Sequence, residues 1–243
     1  MILAMIPCRL GSKRLPNKPL LKINGLTILQ HVISRTLLSK EIDGLVICTE
    51  DKKIFNLYQG KGYKSILTKK NFNNGTERIA SVAKKFKKIQ LIIDMQCDNI
   101  FLNPKHLDRL IKFHLTNKQF DIVVPHSITG KINDTSIVKL VVTGKKVIYM
   151  SRKDVPHGFK KKNNKLKKHL DFISFKPEAL QKFLKLKKTS NEQVEGIELL
   201  RAVENNFSVG TFEVKSDLPS INTKQDLIVA KKIMHQDKIR KLY

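Results

Sequence analysis

The sequence predicts an α/β protein with a mostly parallel central sheet and a small β-rich insertion lobe. Short β-branched runs alternate with amphipathic helical patterns through the first half of the chain, as in a parallel sheet covered on both faces. The middle changes character, with two strand patterns joined by the hairpin signal Thr143-Gly144-Lys145. No internal repeat and no flexible linker interrupts the chain, so the lobe reads as an insertion in one continuous domain.

Taken in order, Ile2–Ile6 reads as the first strand, an apolar run stopped by Pro7. Thr27–Ser39 reads as a helix, because Leu29, Ile33 and Leu37 recur at four-residue steps. Gly44–Cys48 is a second strand, and Asp51–Gln59 a helix ending near Gly60 and Gly62. Lys64–Leu67 is a short strand, Thr76–Phe86 a helix and Gln90–Met95 a central strand. Pro104–Leu115 is a helix with proline in its first turn, where a missing N–H costs little. Ile137–Val142 and Lys146–Met150 form the hairpin. The lysine-rich stretch Lys160–Lys168 reads as an exposed loop. Leu170–Phe175 is a strand, Pro177–Leu186 a helix, Glu195–Asn205 a helix, Val209–Glu213 a strand and Thr223–Gln236 the closing helix.

A chain of 243 residues with 41% apolar content supports an ordinary core. No apolar run approaches the ~20 residues of a membrane span. The first apolar run is too short for a secretory signal, so the expected location is the cytoplasm. Cys8, Cys48 and Cys97 form no C-x-x-C pair, and an odd count argues against a disulfide framework. The formal net charge of +26 raises nucleic acid as a partner. The densest runs, Lys84–Lys88 and Lys160–Lys162 with Lys167-Lys168, interleave no base-stacking platform and match no nucleic-acid-binding motif. The charge reads as solvated lysine faces that also attract anions.

The loop after the first strand carries Arg9, Ser12, Lys13, Arg14 and Lys18 within ten residues. Guanidinium forks and ammonium groups suit phosphate oxygens, although a basic surface loop has the same composition. The loop is not the G-x-x-x-x-G-K-[ST] phosphate loop, which disfavours that class of kinase or ATPase. Asp98, after the Gln90–Met95 strand, lies where open α/β sheets bind ligands; a turn aspartate lies there equally well.

The run Pro7-x-Arg9-x-x-Ser12-x-Arg14-Leu15-Pro16-x-Lys18-Pro19-Leu20 resembles the signature of the sugar-acid cytidylyltransferases. It is most similar to that of the 3-deoxy-manno-octulosonate (Kdo) cytidylyltransferases, and later segments agree in the same order. Asn74-Gly75-Thr76-Glu77-Arg78 is similar to the family's Ser-Gly-Thr-Glu-Arg, and Gln96-Cys97-Asp98 to its Gln-Gly-Asp. Tyr149-Met150-Ser151-Arg152 resembles Tyr-Phe-Ser-Arg, and Glu195-x-x-Glu198-x-Leu200-Arg201 resembles a helix near the family's active site. Ser220-Ile221-Asn222-Thr223-x-x-Asp226-Leu227 resembles Gly-Val-Asp-Thr-x-x-Asp-Leu. Four departures stand out: Cys97 for glycine, Asn99-Ile100 for Glu-Pro, Asp171 for glycine and Asn222 for aspartate.

The resemblance implies a Rossmann-like nucleotide-diphospho-sugar transferase fold over residues 1–243, with a sugar-binding and dimerisation lobe at about residues 135–190. It implies transfer of CMP from CTP to a 2-keto sugar acid for lipopolysaccharide or another surface polysaccharide, by a homodimer. Arg9, Ser12, Arg14, Lys18, Gly75, Arg78 and Gln96 would face the nucleotide, with Arg14, Lys18 and Asp98 catalytic. Arg152, His169, Glu195 and Glu198 would face the sugar. Asp98 and Asn222 would hold Mg²⁺, the amide contributing an oxygen without a formal charge. Asn222 leaves open a relative of reduced or redirected activity. A basic nucleic-acid-binding protein on the same scaffold is the remaining alternative.

Overall fold

The first apolar run forms β1 (Ile2–Cys8), and all seven of its residues are buried. The computed structural model describes every residue except Lys13, Lys70, Asn71, Lys162, Asn164 and residues 216–218. Lys13 of the cationic loop and Lys162 of the lysine run therefore lie outside the described residues. Along the chain follow β2 (Lys22–Ile23), β3 (Leu26–Thr27), α1 (Ile28–Leu37), β4 (Gly44–Thr49), α2 (Lys52–Tyr58), β5 (Lys64–Leu67), α3 (Gly75–Ala83), β6 (Leu91–Met95) and α4 (Pro104–Thr116). Then come β7 (Ile122–Val123), β8 (His126–Thr129), β9 (Lys139–Thr143), β10 (Lys146–Ser151), β11 (Leu166–His169) and β12 (Phe172–Phe175). The last elements are α5 (Pro177–Lys185), α6 (Ser190–Glu195), α7 (Leu200–Glu204), β13 (Val209–Gly210) and α8 (Lys224–Gln236). Among the described residues no helix is long and apolar enough to cross a membrane.

Two compact units emerge, Met1–Arg109 with Leu218–Tyr243, and Leu110–Asp217. The segment 135–190 lies inside the second. In the first unit the strands run in the order β5-β4-β1-β6, all pairs parallel. Strands buried on both faces read as continuous apolar runs, which is why Ile2–Ile6 and Gly44–Cys48 are legible in sequence. The helix α1 opens on a reciprocal cap: Thr27 Oγ1 accepts from the Gln30 N–H (3.1 Å), and Gln30 Oε1 from the Thr27 N–H (2.8 Å). Buried Arg35 on α1 donates to the Leu102 carbonyl and the Tyr243 hydroxyl, each at 3.1 Å, and pairs with Asp237. These contacts fasten the C-terminus to the first helix.

The second unit is mostly antiparallel, ordered β12-β7-β13-β10-β9-β11-β8, with β13 and β7 parallel. Its hairpin is where Thr143-Gly144-Lys145 places it, with Lys146 opposite Thr143 and Gly144 at φ 58°. Other elements depart from expectation. Lys160–Lys168 is not wholly loop: Leu166–His169 forms β11 against β8, with Leu166 buried and its lysines half-buried. Lysine stems can cover apolar surface while their heads stay wet, which hides the alternation of a strand. Glu195–Asn205 is not one helix. Gly196, at φ 62°, caps α6 in the left-handed region, and α7 starts only at Leu200. The predicted strand Val209–Glu213 shrinks to β13, with Glu213 making a lone bridge to His126. The short strands β7 and β8 and the β2–β3 hairpin were not expected. That hairpin turns on Asn24-Gly25, both at positive φ, the dipeptide such turns favour.

Within the second unit His114 is buried. Its Nε2–H donates to the Phe120 carbonyl (3.1 Å), leaving Nδ1 to accept from the Ser174 hydroxyl (2.7 Å). Burial is the main cause that lowers its pKa from 6.5 to about 4. The unfolded chain thus binds a proton between those values that the folded protein refuses. Stability contributed by neutral His114 is complete above about pH 6.5 and is lost as pH falls toward 4, on the order of 3 kcal/mol. Urea unfolding at pH 7 and pH 4 checks this: replacing His114 by Asn should flatten the acid loss, and parallel curves for the two proteins would contradict it.

Candidate active site

The cationic loop is shaped by one residue. The Leu10 N–H donates to Asp51 Oδ2 (2.8 Å), and the Leu10 carbonyl accepts from the N–H groups of Ser12 (2.8 Å) and Asn17 (3.2 Å). Buried Leu15 anchors the far side, so Arg9 and Arg14 are left exposed. The loop borders a cavity of about 480 Å³ at the carboxyl ends of β1 and β6. Arg9, Ser12, Arg14 and Lys18 line it from the loop, and Gly75 and Arg78 from α3. Gln96, Asp98 and Asn222 complete the wall, so every residue assigned to nucleotide or metal is brought to this one place.

Lys18 ties the wall together. Its ammonium donates to Asp98 Oδ2 at 2.8 Å, the Ile221 carbonyl at 2.9 Å and Asn222 Oδ1 at 3.4 Å. Arg14 reaches the same Asn222 oxygen at 3.4 Å. The Ile221 N–H donates in turn to the Asp98 carbonyl (3.2 Å).

The helix α3 is capped by Asn74, whose side chain accepts from the Glu77 N–H at 2.8 Å. The helix begins one residue before the expected Thr76, which lies buried in the first turn, because Asn74 holds the extended N-cap backbone. Gly75 is required by close packing: a Cβ there would lie 2.9 Å from Cγ of Pro7. Arg78 is not a free cation. It pairs with Glu50 (2.8 Å) and donates to the Thr68 hydroxyl (2.6 Å). Gln96 donates from Nε2 to Asp94 Oδ1 at 3.0 Å.

The residues assigned to the sugar lie in the second unit. Glu195 is a positioning group there: its carboxylate accepts from the Ser151 hydroxyl (2.6 Å) and the Arg152 N–H (2.9 Å). The Arg152 guanidinium donates to the carbonyls of Glu195 (2.9 Å), Thr135 (3.1 Å) and Gly196 (3.4 Å). Glu198 follows on the turn between α6 and α7, half-buried. His169 ends β11 opposite His126, with Nδ1 3.6 Å from Asp171.

The family model for cytidylyltransferases matches residues 3–216. The chain belongs to the cytidylyltransferase family. A 3-deoxy-manno-octulosonate cytidylyltransferase of Fusobacterium nucleatum is 31% identical over 229 residues, covering 93% of each chain. An 8-amino-3,8-dideoxy-manno-octulosonate cytidylyltransferase of Shewanella halifaxensis is 30% identical, covering 92% of this chain and 94% of its own. Among solved structures, a CMP:2-keto-3-deoxy-manno-octonic acid synthetase complexed with CTP superposes with a TM-score of 0.92 at 27% identity, over 97% of this chain and 98% of that one.

For a cytidylyltransferase the donor set around Lys18 is informative. Among the described residues no group of three or more His, Cys, Asp or Glu side chains could hold a metal. Asp98 and Asn222 nevertheless turn oxygens toward one cation, the Lys18 ammonium, and oxygen donors are what a hard divalent ion takes. The oxygen donors of Asp98 and Asn222 are thus of the kind that fits magnesium, as a site with few protein ligands.

The sequence reading passed over Asp51 and Glu50, which brace the loop and Arg78. Both follow directly on β4, at a carboxyl end of the parallel sheet, and that position was the available signal. It gave the thiols no place in the site. Cys8 and Cys97 both line the cavity, and burial pushes the Cys8 thiol well above its usual range.

Proposed function

We propose that this cytidylyltransferase transfers CMP from CTP to the anomeric hydroxyl of a 2-keto sugar acid of the Kdo type, releasing pyrophosphate, for lipopolysaccharide or another surface polysaccharide. The observation that carries the reading is the cavity at the sheet's carboxyl edge, where Arg9, Arg14 and Lys18 border the oxygens of Asp98 and Asn222. Its volume suits a nucleotide-sized ligand.

The sugar oxygen attacks the α-phosphorus, and the bond to the pyrophosphate oxygen breaks on the opposite side. Negative charge spreads over the phosphate oxygens, so the protein's task is positioning and charge stabilisation. Arg9 and Arg14, exposed and unpaired with any carboxylate among the described residues, hold the triphosphate. Ser12 adds a hydroxyl donor. Lys18 keeps Asp98 and Asn222 in register. In this reading Asp98 and Asn222 hold magnesium, which when bound supplies Lewis-acid polarisation of phosphate oxygen. Arg152, locked by carbonyls, presents its remaining N–H groups to the sugar carboxylate. The reading extends to a cytoplasmic homodimer joined through the β9–β10 hairpin, where Ile148 is exposed. Sedimentation giving a monomer mass would remove that assembly.

Pyrophosphate release with CTP and Mg²⁺, across a panel of 2-keto sugar acids including Kdo and its 8-amino-8-deoxy analogue, tests the function. Turnover should need CTP and a Kdo-type acid, and silence with every acid would overturn the assignment. Arg14→Ala should lower kcat/KM by about 10²–10³, as loss of a comparable donor to developing charge does; unchanged kinetics would take Arg14 out of the site.

Asn222 favours a second reading, an enzyme of this family with reduced metal affinity, because one carboxylate is replaced by an amide. Calorimetric titration of magnesium into the CTP-loaded protein distinguishes the two. Asn222→Asp should bind magnesium more tightly, and identical isotherms would remove that substitution as a cause of weakened activity.

A further inference from the structure

We infer that the buried lysine Lys139 is a positioning residue for the sugar acid, its ammonium holding Arg152 and the loop that steers it in the geometry that captures a carboxylate. Lys139 opens β9 and is 0% exposed. An ammonium leaves water at high cost, so a lysine buried this completely must be paired. Its register sets it level with Ser151 of β10 on one side and Lys168 of β11 on the other. It therefore sits between the strand that leads into Arg152 and the strand that ends in His169. An ammonium has three donors and no acceptor. One donates to the Arg152 carbonyl at 2.7 Å and one to the Asp134 carbonyl at 2.5 Å, and Asp154 Oδ1 stands 3.3 Å away.

Each of these partners bears on the Arg152 side chain. Glu195 fixes the Arg152 N–H, and Lys139 fixes the carbonyl of the same residue. The Thr135 carbonyl steers the guanidinium, and the carbonyl of the preceding residue, Asp134, is the one Lys139 holds. Asp154 completes the tie: its other oxygen accepts from the Asn133 N–H at 2.8 Å, which joins the segment after β10 to the segment before β9. One ammonium thus sets where the Arg152 side chain starts and holds an acceptor that directs its end. A guanidinium captures a carboxylate through two parallel bonds, so a small tilt of the fork costs binding. Lys139 does not reach solvent and Asp154 offsets its charge, so its part is placement rather than field. The role in sugar capture rests on the reading of Arg152 given above; the clamp between the two segments does not.

Lys139→Met keeps an apolar stem and removes the charge. Steady-state pyrophosphate release with CTP and Kdo, and hydrogen exchange of the full chain read by mass spectrometry, are the readouts. KM for the sugar acid should rise about tenfold or more, with KM for CTP within about twofold of the parent. Added to Arg152→Gln, Lys139→Met should cost less than about a further twofold in kcat/KM, because the residue it positions is already gone. Amides of residues 133–136 and 151–154 should exchange faster, and those of β1 and β6 at the parent rate. An unchanged sugar KM, a joint rise of both KM values, or losses that multiply in the double variant would overturn the positioning role. Should Lys139→Met give no cooperative urea transition, Asp154→Ala removes one partner and leaves the ammonium its two carbonyls. The same split and coupling, smaller in size, are then expected, and an unchanged sugar KM overturns the role. If the parent turns over no sugar acid, the substrate reading fails and the exchange rates alone decide the clamp. Parent rates in both segments of the variant would overturn it.

Discussion

One ammonium group organises the candidate site. Lys18 has three N–H donors and no acceptor, and three oxygens meet it: the Asp98 carboxylate, the Ile221 carbonyl and the Asn222 amide. They come from the end of β6 and from the approach to α8, 80 and more than 200 residues away in sequence. Because Lys18 is only 12% exposed and Asp98 18%, losing the ammonium would remove a charge-assisted bond from a largely buried carboxylate. The same junction is reinforced by the Ile221–Asp98 backbone bond. Asp226 adds to it by accepting from the N–H groups of Asn222 and Thr223.

The charges around this junction divide into two kinds. Arg78 is neutralised by Glu50 and held by Thr68, so it supplies shape to the wall more than field. Arg9 and Arg14 stand exposed on the loop with no carboxylate partner among the described residues. An amide at 222 leaves one negative charge beside Lys18 where a carboxylate would leave two. Attraction for a divalent ion weakens, while the field of the loop on a polyphosphate strengthens, because both follow the same Coulomb term with opposite sign. On the proposed reading, Asn222 shifts reliance from metal toward side-chain cations. The magnesium isotherm of Asn222→Asp is informative even where turnover is unchanged.

Much of this was legible in the residues. The apolar runs of β1, β4 and β6 announced a parallel sheet, since strands covered on both faces have no polar period to confuse them. The cationic loop, Gly75, Gln96, Asp98 and Asn222 were assigned to one site, and one cavity holds them. Legibility failed where tertiary context overrode local pattern. Lysines masked the alternation of β11, and Gly196 broke a helix whose charge pattern runs straight through it. The partners of Arg78 and Arg152 were invisible because guanidinium donors reached residues 28 and 43 positions away. An isolated arginine reads as a ligand-binding cation until its acceptors are counted.

The packing at the strand ends shows the same limit from the other side. No spacing rule joins Pro7 to Gly75 or Gln96, yet the fold makes them neighbours. The strand ends here are packed to contact: Gly75 leaves no room for a Cβ against Pro7, and Gln96 is within 3.9 Å of that Cβ position. Such packing serves a site that must hold charged groups in place. The scaffold that presents Arg9 and Asp98 to the cavity is thus set by contacts among β1, α3 and the segment after β6 that no local pattern announces.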